Sequence, residues 1–122
     1  MKKVVVIDDD DNTRELMCLL LRDRYEVSSA RDGAEGLKVV HAVRPDLLVL
    51  DLLMPIMHGF EVCLRLRADP ELKDTKVLIS SSKSYKHDVR SALEETGADD
   101  YIVKPFDFDE FNRRVDALTG GA

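Results

Sequence analysis

The chain has 122 residues, the size of one compact domain, and its 44% hydrophobic content argues against disorder. No apolar run approaches the roughly 20 residues that a membrane span needs, and the start MKKVVVID is too short for a secretory signal. The net charge of −6 argues against nucleic acid as a direct partner, because phosphate binding favours a basic surface. We therefore expect a soluble, cytoplasmic protein that binds a cation or a partner carrying basic groups.

Short β-rich segments alternate with helix-like segments along the chain. The predicted strands, in chain order, are Lys3–Ile7, Glu26–Ala30, Leu47–Leu50, Lys76–Ser80 and Tyr101–Val103. The first, third and fourth are almost continuous apolar runs, which is typical of strands buried on both faces of a parallel sheet.

The segments that follow the strands have helical periodicity. Their predicted apolar stripes are Leu16, Leu19 and Leu20; Phe60, Cys63 and Leu64; Val89, Ala92 and Leu93; and Phe108, Phe111, Val115 and Leu118. The predicted helix starts pair an N-cap with a Glu three residues later, namely Asn12 with Glu15, Asp32 with Glu35 and Asp107 with Glu110. Gly97 fits a helix stop. We expect one α/β domain over residues 1–119, with helices on both faces of a parallel sheet, and a flexible tail at 120–122.

The two cysteines, Cys18 and Cys63, lie far apart in helix-like segments. Neither belongs to a CxxC motif or to a nearby Cys/His cluster. We expect reduced thiols in or near the core rather than a disulfide or metal ligands.

Polar residues stand where the predicted strands end. Asp8 and Asp9 follow the first strand, Asp51 the third, Ser80, Ser81 and Ser82 the fourth, and Lys104 and Pro105 the fifth. Functional groups gather at the carboxyl ends of parallel strands, so we expect these side chains to meet at one edge of the sheet.

This set of groups predicts a magnesium site that handles a phosphoryl group. Three clustered carboxylates repel one another unless a cation joins them, and oxygen ligands favour Mg²⁺ before Ca²⁺. Lys104 and a hydroxyl supply further contacts for phosphoryl oxygens. Because the sequence has no P-loop and no GxGxxG motif, a phosphoryl group carried on a carboxylate is more economical than a bound nucleotide. We expect Asp10 and Asp11 to start the first helix rather than to bind metal.

Four motifs, in order, resemble a response-regulator receiver domain, the phosphoacceptor module of two-component signalling. They are VVVIDD, LLVLDLLMPIMHGFE, VLISSS and GADDYIVKPFD, and together they span nearly the whole chain. The resemblance is to the chemotaxis-regulator-like type. It implies a flavodoxin-like (βα)5 fold with strand order 2-1-3-4-5, an order that the sequence pattern alone does not fix.

The resemblance also implies a role for each matching position. Asp51 matches the phosphoacceptor. For Mg²⁺, Asp9 matches the direct ligand, Asp8 a ligand acting largely through water, and Leu53 a backbone-carbonyl ligand. Lys104 matches the lysine that pairs with the carboxylate and then with the phosphoryl group, and Pro105 matches a proline preceded by a cis peptide. Counting from Asp51 makes Ser81 the switch hydroxyl, whereas counting back from Gly97 makes it Ser82; we predict Ser81. Tyr101 matches the aromatic residue whose rotamer follows that hydroxyl.

Two departures from the family pattern affect the loops. His58 stands where the family often has Asp, and we expect this replacement to be without effect. Leu53 and Lys83 occupy positions that tune the phosphoryl lifetime in the family. Our hypothesis is that this apolar and cationic pair slows attack by water.

The resemblance implies a phosphorylation switch. A histidine kinase, a histidine phosphotransfer protein or a small phosphodonor would phosphorylate Asp51, and slow autodephosphorylation would be the only catalysis beyond that transfer. Arg14 and Cys18 on the first helix would contact the kinase. Lys86, Arg90, Tyr101 and Phe108 would lie on an output surface built from the fourth and fifth predicted helices and the fifth strand. That surface would act on a protein target or a covalently linked output domain, in a monomer or a phosphorylation-dependent homodimer.

Two alternatives remain open on the sequence. Asp9, Asp11 and Thr13 spell DxDxT after an apolar strand, which resembles the haloacid-dehalogenase-like phosphatases, with Asp9 as nucleophile and Asp11 as acid–base. Against this, 122 residues leave no room for a cap, and the loop after Asp51 would go unexplained. The other alternative, an interaction domain that is never phosphorylated, is disfavoured because every charged site position is present.

Overall fold

Five parallel strands form a single sheet in the computed structural model, which describes residues 1–52, 59–82, 93–94 and 96–121. The strands are β1 (Lys3–Ile7), β2 (Glu26–Ala30), β3 (Leu47–Asp51), β4 (Lys76–Ser81) and β5 (Asp100–Val103). Their order across the sheet is β2-β1-β3-β4-β5, and every pairing is parallel. Both the strand order and the parallel sheet confirm the prediction, and three of the strands are one residue longer than predicted.

Four helices have bounds within the described residues. They are α1 (Asp11–Leu21), α2 (Gly33–Val43), α3 (Gly59–Ala68) and α4 (Phe108–Thr119), so α4 corresponds to the fifth helix of the sequence prediction. The predicted fourth helix falls mostly on residues outside the described part. Its predicted stop is confirmed: Gly97 has a φ of +68°, and its N–H donates to the carbonyl of Leu93. No helix of the described segments is long and apolar enough to cross a membrane.

Alternate residues of the central strands pack into two cores on opposite faces of the sheet. The strand residues of the first core, which lies against α2 and α3, include Val5, Ile7, Leu48, Leu50, Val77, Ile79 and Tyr101. Those of the second core, which lies against α1 and α4, include Val4, Val6, Leu47, Val49, Leu78 and Ile102. Because β1, β3 and β4 are covered on both faces, their near-continuous apolar sequences follow directly from this burial.

The predicted phase of α1 is wrong. Met17 and Leu21 are its fully buried residues, whereas Leu19 is 52% exposed. Every residue from 16 to 21 is apolar, so periodicity could not tell which stripe faces the sheet. Leu64 of α3 and Phe108 of α4 also belonged to predicted stripes, but they are 62% and 51% exposed.

Two of the three predicted caps are confirmed. Asp32 accepts a hydrogen bond from the Glu35 N–H, and Asp107 accepts one from the Glu110 N–H. At α1 the N-cap is Asp10, which accepts from the N–H of Thr13, so the predicted pair of Asn12 with Glu15 is wrong. Three successive residues, 10 to 12, are all of types that cap helices, and the chain uses the first of them.

Side chains tie together the strand starts at the amino edge of the sheet. The guanidinium of Arg67 donates to the carbonyls of Lys73, Thr75 and Gly97, at 2.7, 2.6 and 2.8 Å. It also lies 3.3 Å from Asp99, whose carboxylate accepts from the N–H of Val77 at 2.8 Å. These contacts join the loop after α3 to the segment that enters β5.

Both cysteines are free thiols, as predicted. Cys63 of α3 is fully buried, and burial raises the pKa of its thiol to about 11. Cys18 is half-buried on α1, and burial raises the pKa of its thiol as well.

Candidate functional site

A lysine and two carboxylates from three strands meet at the carboxyl edge of the sheet. Asp8 follows β1, Asp51 ends β3, and Lys104 follows β5. The Lys104 Nζ lies 2.6 Å from Oδ2 of Asp8 and 3.5 Å from Oδ2 of Asp51. The expectation that these residues share one edge of the sheet is confirmed.

The carboxylates of Asp8, Asp9 and Asp51 form one cluster. Each offers an oxygen atom, and these three atoms lie within 4.8 Å of one another. Asp8 is 1% exposed and Asp51 is 6% exposed, whereas Asp9 faces solvent. One lysine balances only part of this charge, and buried carboxylates are costly without compensation. An all-oxygen cluster that is open on one side therefore fits a hard divalent cation that keeps some of its waters.

The turn between β1 and α1 is built so that Asp8 and Asp9 stay at the cluster. Oδ1 of Asp8 accepts from the N–H of Asp10 at 2.9 Å, while Asp10 itself caps α1. Arg14 donates from Nη1 to the main-chain carbonyl of Asp8 at 2.8 Å and also pairs with Asp11. Asp10 and Asp11 thus start the helix, as predicted. The contact from Arg14 to the Asp8 carbonyl was missed, because nothing in the sequence shows that a helical side chain folds back onto the preceding turn.

The junction between β3 and α3 requires glycine at position 59. Its N–H donates to the carbonyl of Leu52 at 3.1 Å. A Cβ atom there would lie 2.6 Å from the carbonyl oxygen of Asp51 and 2.8 Å from the Cα of Leu52. Both are backbone atoms of the segment that carries Asp51, and neither can move aside. The predicted roles of Leu53 and His58 concern residues outside the described ones.

The ends of β4 and β5 bring together the predicted hydroxyl, the aromatic residue and the lysine. Ser81 is buried, and its carbonyl accepts from the N–H of Lys104 at 2.8 Å, whereas Ser82 is exposed. Tyr101 is 7% exposed and packs in the first core with Ile79. The peptide bond between Lys104 and Pro105 is cis, as the resemblance implied. Lys83 lies outside the described residues.

Ser80 is a further polar residue at this edge, to which the sequence assigned no separate role. It is fully buried, and its hydroxyl has no hydrogen-bond partner in the described part of the chain. It pairs in register with Asp51. The alternation of side chains along β4 was the signal that could have singled it out.

An open parallel sheet with an acidic cluster and a lysine at its carboxyl edge is the arrangement that the resemblance to receiver domains implied. The chain belongs to the response regulator receiver domain family, whose model matches residues 4–116. It is therefore a phosphorylation-dependent switch module of two-component signalling.

Named relatives agree with this assignment. The chain is 39% identical over 119 residues to the DNA-binding dual master transcriptional regulator RpaA of Synechocystis sp. (strain ATCC 27184 / PCC 6803 / Kazusa), covering 97% of this chain and 49% of that one. It is 40% identical over 118 residues to the alkaline phosphatase synthesis transcriptional regulatory protein PhoP of Bacillus subtilis (strain 168), covering 96% of this chain and 48% of that one. The chain thus spans about half the length of these curated relatives.

Solved structures resemble the whole fold. The Vibrio cholerae chemotaxis protein CheY4 superposes with a TM-score of 0.90 at 29% identity, covering 97% of this chain and 98% of that one. The Francisella response regulator 1452 receiver domain gives a TM-score of 0.89 at 30% identity, covering 98% of each chain. The phosphatase alternative gains no support from these comparisons. Asp11, its candidate acid–base, begins α1 and pairs with Arg14.

Proposed function

We propose that Asp51 is the phosphoacceptor and that Lys104 and the acidic cluster prepare it. The observation that carries this proposal is the position of the Lys104 ammonium, which contacts both Asp8 and Asp51 at the edge of the cluster. A fixed cation beside a carboxylate nucleophile stabilises the charge that develops on the phosphoryl oxygens during transfer. The low exposure of Asp51 limits the water that competes for this charge.

Asp8, Asp9 and Asp51 would hold Mg²⁺, with the carbonyl of Leu53 as the fourth protein ligand. Asp8 already accepts hydrogen bonds from Lys104 and Asp10, which supports a water-mediated role for Asp8. When bound, the ion supplies charge neutralisation to the transferring phosphoryl group.

The transfer is a displacement at phosphorus. An oxygen of Asp51 forms a bond to the phosphorus atom as the bond from phosphorus to the leaving atom of the donor breaks, and that atom leaves with the electron pair. The leaving atom is an imidazole nitrogen in a phosphohistidine, the bridging oxygen in acetyl phosphate and the nitrogen in phosphoramidate. The donor is a histidine kinase, a histidine phosphotransfer protein or a small phosphodonor. Water later attacks the aspartyl phosphate in a slow autodephosphorylation, and Leu53 and Lys83 set its rate. The domain performs no other catalysis.

The switch follows from the new acceptor oxygens. Ser81 turns its hydroxyl toward the phosphoryl group, and Tyr101 moves further into the first core behind it. Because Tyr101 is on β5, this movement would reach the output surface predicted for β5, α4 and the fourth predicted helix. Phe108, predicted for that surface, is half-exposed. Lys86 and Arg90, predicted for the same surface, lie outside the described residues. Arg14 and Cys18 on α1 would contact the kinase.

The output of this switch is a protein target or a covalently linked domain. Several relatives are named as DNA-binding regulators and are about twice as long as this chain, which favours a linked output domain as the DNA-binding part. The receiver domain itself, with a net charge of −6, makes no direct contact with nucleic acid. We place it in the cytoplasm, as a monomer that forms a homodimer upon phosphorylation.

Mapping the phosphorylated residue tests the proposal. The chain is incubated with Mg²⁺ and acetyl phosphate or phosphoramidate, and the modified residue is identified by borohydride reduction and peptide mass spectrometry. We expect modification of Asp51 alone, and none in Asp51→Asn. Modification of Asp9 with rapid turnover of phosphate monoesters would support the phosphatase. No modification by any donor would support an interaction domain.

A further inference from the structure

The unpartnered hydroxyl of Ser80 lies beside the proposed phosphoacceptor. Ser80 has no exposed surface, and its Oγ has no hydrogen-bond partner among the described residues. A buried hydroxyl without a partner destabilises the state that contains it, so such groups are uncommon in folded proteins. This one belongs to the strand next to Asp51.

The pairing of the strands places Ser80 on the same face of the sheet as Asp51. Asp51 is in register with Ser80, and Ser80 is in register with Ile102 of β5. Residues in register on parallel strands share a face, and side chains two residues apart return to that face. Lys104 follows Ile102 by two residues. Asp51 and Ser80 are therefore neighbours on adjacent strands, and Lys104, just past the end of β5, contacts Asp51 through its ammonium.

The two cores confirm which face this is. Val49, Leu78 and Ile102 pack in the second core. Asp51 and Ser80 are each two residues further along their strands, and Lys104, just past the end of β5, reaches Asp51 with its Nζ at 3.5 Å. Ile79, by contrast, packs in the first core together with Tyr101. Ser81 follows Ile79 by two residues and so stands on that opposite face. Ser80 and Ser81 thus approach the site from different sides of the sheet.

We propose that Ser80 is a phosphoryl-binding residue, whose hydroxyl donates a hydrogen bond to the oxygen atoms carried by phosphorylated Asp51. Neighbouring strands are about 4.8 Å apart, so a hydroxyl in register with Asp51 is close to the added oxygens without any movement of β4. Phosphorylation supplies an acceptor for a donor that has none among the described residues. This inference rests on Asp51 being the phosphoacceptor.

Replacing Ser80 separates this role from a structural one. The probe is beryllofluoride with Mg²⁺, an analogue of a phosphoryl group on aspartate, and its apparent affinity is measured from the shift in the unfolding midpoint. We expect Ser80→Ala to lose roughly tenfold in affinity, as for a hydrogen bond to a charged group. We expect the variant without beryllofluoride to be at least as stable as the wild type, because an unpaired hydroxyl has been removed. Ser80→Thr, which keeps the hydroxyl, retains most of the affinity.

Ser28→Ala is the matched control. Ser28 is a partly buried serine of β2, which is separated from β3 by β1. Its replacement is expected to leave the beryllofluoride affinity unchanged. A Ser80→Ala variant that binds beryllofluoride as tightly as the wild type would overturn the inference while leaving Asp51 as acceptor. A wild-type chain that neither binds beryllofluoride nor becomes phosphorylated at Asp51 would overturn the proposed function itself.

Discussion

Lys104 contacts the two buried carboxylates unequally. Its ammonium is 2.6 Å from Asp8 and 3.5 Å from Asp51, so Asp8 is its nearer partner. A divalent cation that approaches the cluster meets an ammonium already placed at one of its ligands. We therefore expect the lysine to oppose metal binding and, under the proposed function, to assist phosphoryl transfer.

We expect Lys104→Ala to bind Mg²⁺ more tightly and to accept a phosphoryl group more slowly. Removing the neighbouring positive charge should raise the affinity roughly tenfold, equivalent to about 1.4 kcal/mol. The rate of phosphorylation by acetyl phosphate at saturating Mg²⁺ should fall by tenfold or more, on the order of other losses of a transition-state cation. Isothermal titration and a phosphorylation time course measure the two effects. Lys76→Ala, at the opposite edge of the sheet, is the control, and weaker Mg²⁺ binding by Lys104→Ala would contradict this account.

Arg14 positions the acidic turn through a single contact to the main chain. We expect Arg14→Ala to lower the Mg²⁺ affinity several-fold and the free energy of unfolding by about 1 kcal/mol, because the carbonyl of Asp8 loses its donor. Arg14→Lys should restore part of the metal affinity. Arg31→Ala removes an arginine that is 75% exposed and pairs only weakly with Glu35, so it should change neither quantity. Equal Mg²⁺ affinities for Arg14→Ala and Arg31→Ala would show that this contact does not shape the site.

At the scale of elements, the helix α3 and the strand β3 meet too closely for any side chain at position 59. We expect Gly59→Ala to lower the free energy of unfolding by about 2–3 kcal/mol, because its Cβ overlaps backbone atoms of Asp51 and Leu52. The rate of phosphorylation should fall as well, since relief of the overlap displaces Asp51.

Gly36→Ala is the matched comparison for this change. Its Cβ would lie 2.3 Å from Cδ1 of Ile7, a side-chain atom, and its nearest neighbours include no residue of the site. It should therefore destabilise the fold without altering the phosphorylation rate of the folded chain. Chemical denaturation and a phosphorylation time course at low denaturant distinguish the two variants. Similar rates for both would mean that Gly59 serves stability alone.

The elements also show how far the sequence could predict the fold and the site. Strands β1 and β2 were predicted to the residue. For β1 the reason is its near-continuous apolar run, which is typical of a strand buried on both faces of a parallel sheet. The sequence identified the site residues Asp8, Asp9, Asp51 and Lys104, because the carboxyl ends of parallel strands lie at the same edge of the sheet. The phase of α1 was not predicted, because residues 16–21 are all apolar and only packing against the sheet decides which of them are buried. The capping role of Asp10 was not predicted, because residues 10–12 can all cap a helix. The position of the Ser80 hydroxyl beside Asp51 could be recognised only from the register of β3, β4 and β5, which the sequence does not show.

At the scale of the whole molecule, a buried thiol links stability to alkaline pH. Burial raises the pKa of Cys63 to about 11 from an ordinary value of 9.0. Above pH 9 the unfolded chain releases this proton while the folded chain retains it. The stability that Cys63 contributes is therefore fully present below pH 9 and is lost as the pH rises towards about 11.

We expect the free energy of unfolding of the wild type to fall between pH 9 and pH 11 more steeply than that of Cys63→Ala. Urea denaturation at several pH values, with reductant present, measures both slopes. Cys18→Ala serves as the control, since Cys18 is only half-buried and should leave most of the slope in place. Parallel curves for the wild type and Cys63→Ala would rule out this linkage.

The ties made by Arg67 have a consequence for how such a domain can diversify. They join α3 to the segments that enter β4 and β5 at the amino edge of the sheet. We expect the strands to keep their positions at that edge when loops at the carboxyl edge are changed. We therefore expect that loops at the carboxyl edge can be exchanged, with effects on the proposed phosphoryl lifetime or partner choice, while the amino edge of the sheet stays unchanged. Grafting the segment after Asp51 or after Ser81 from a relative is thus a practical route to new signalling behaviour on this scaffold.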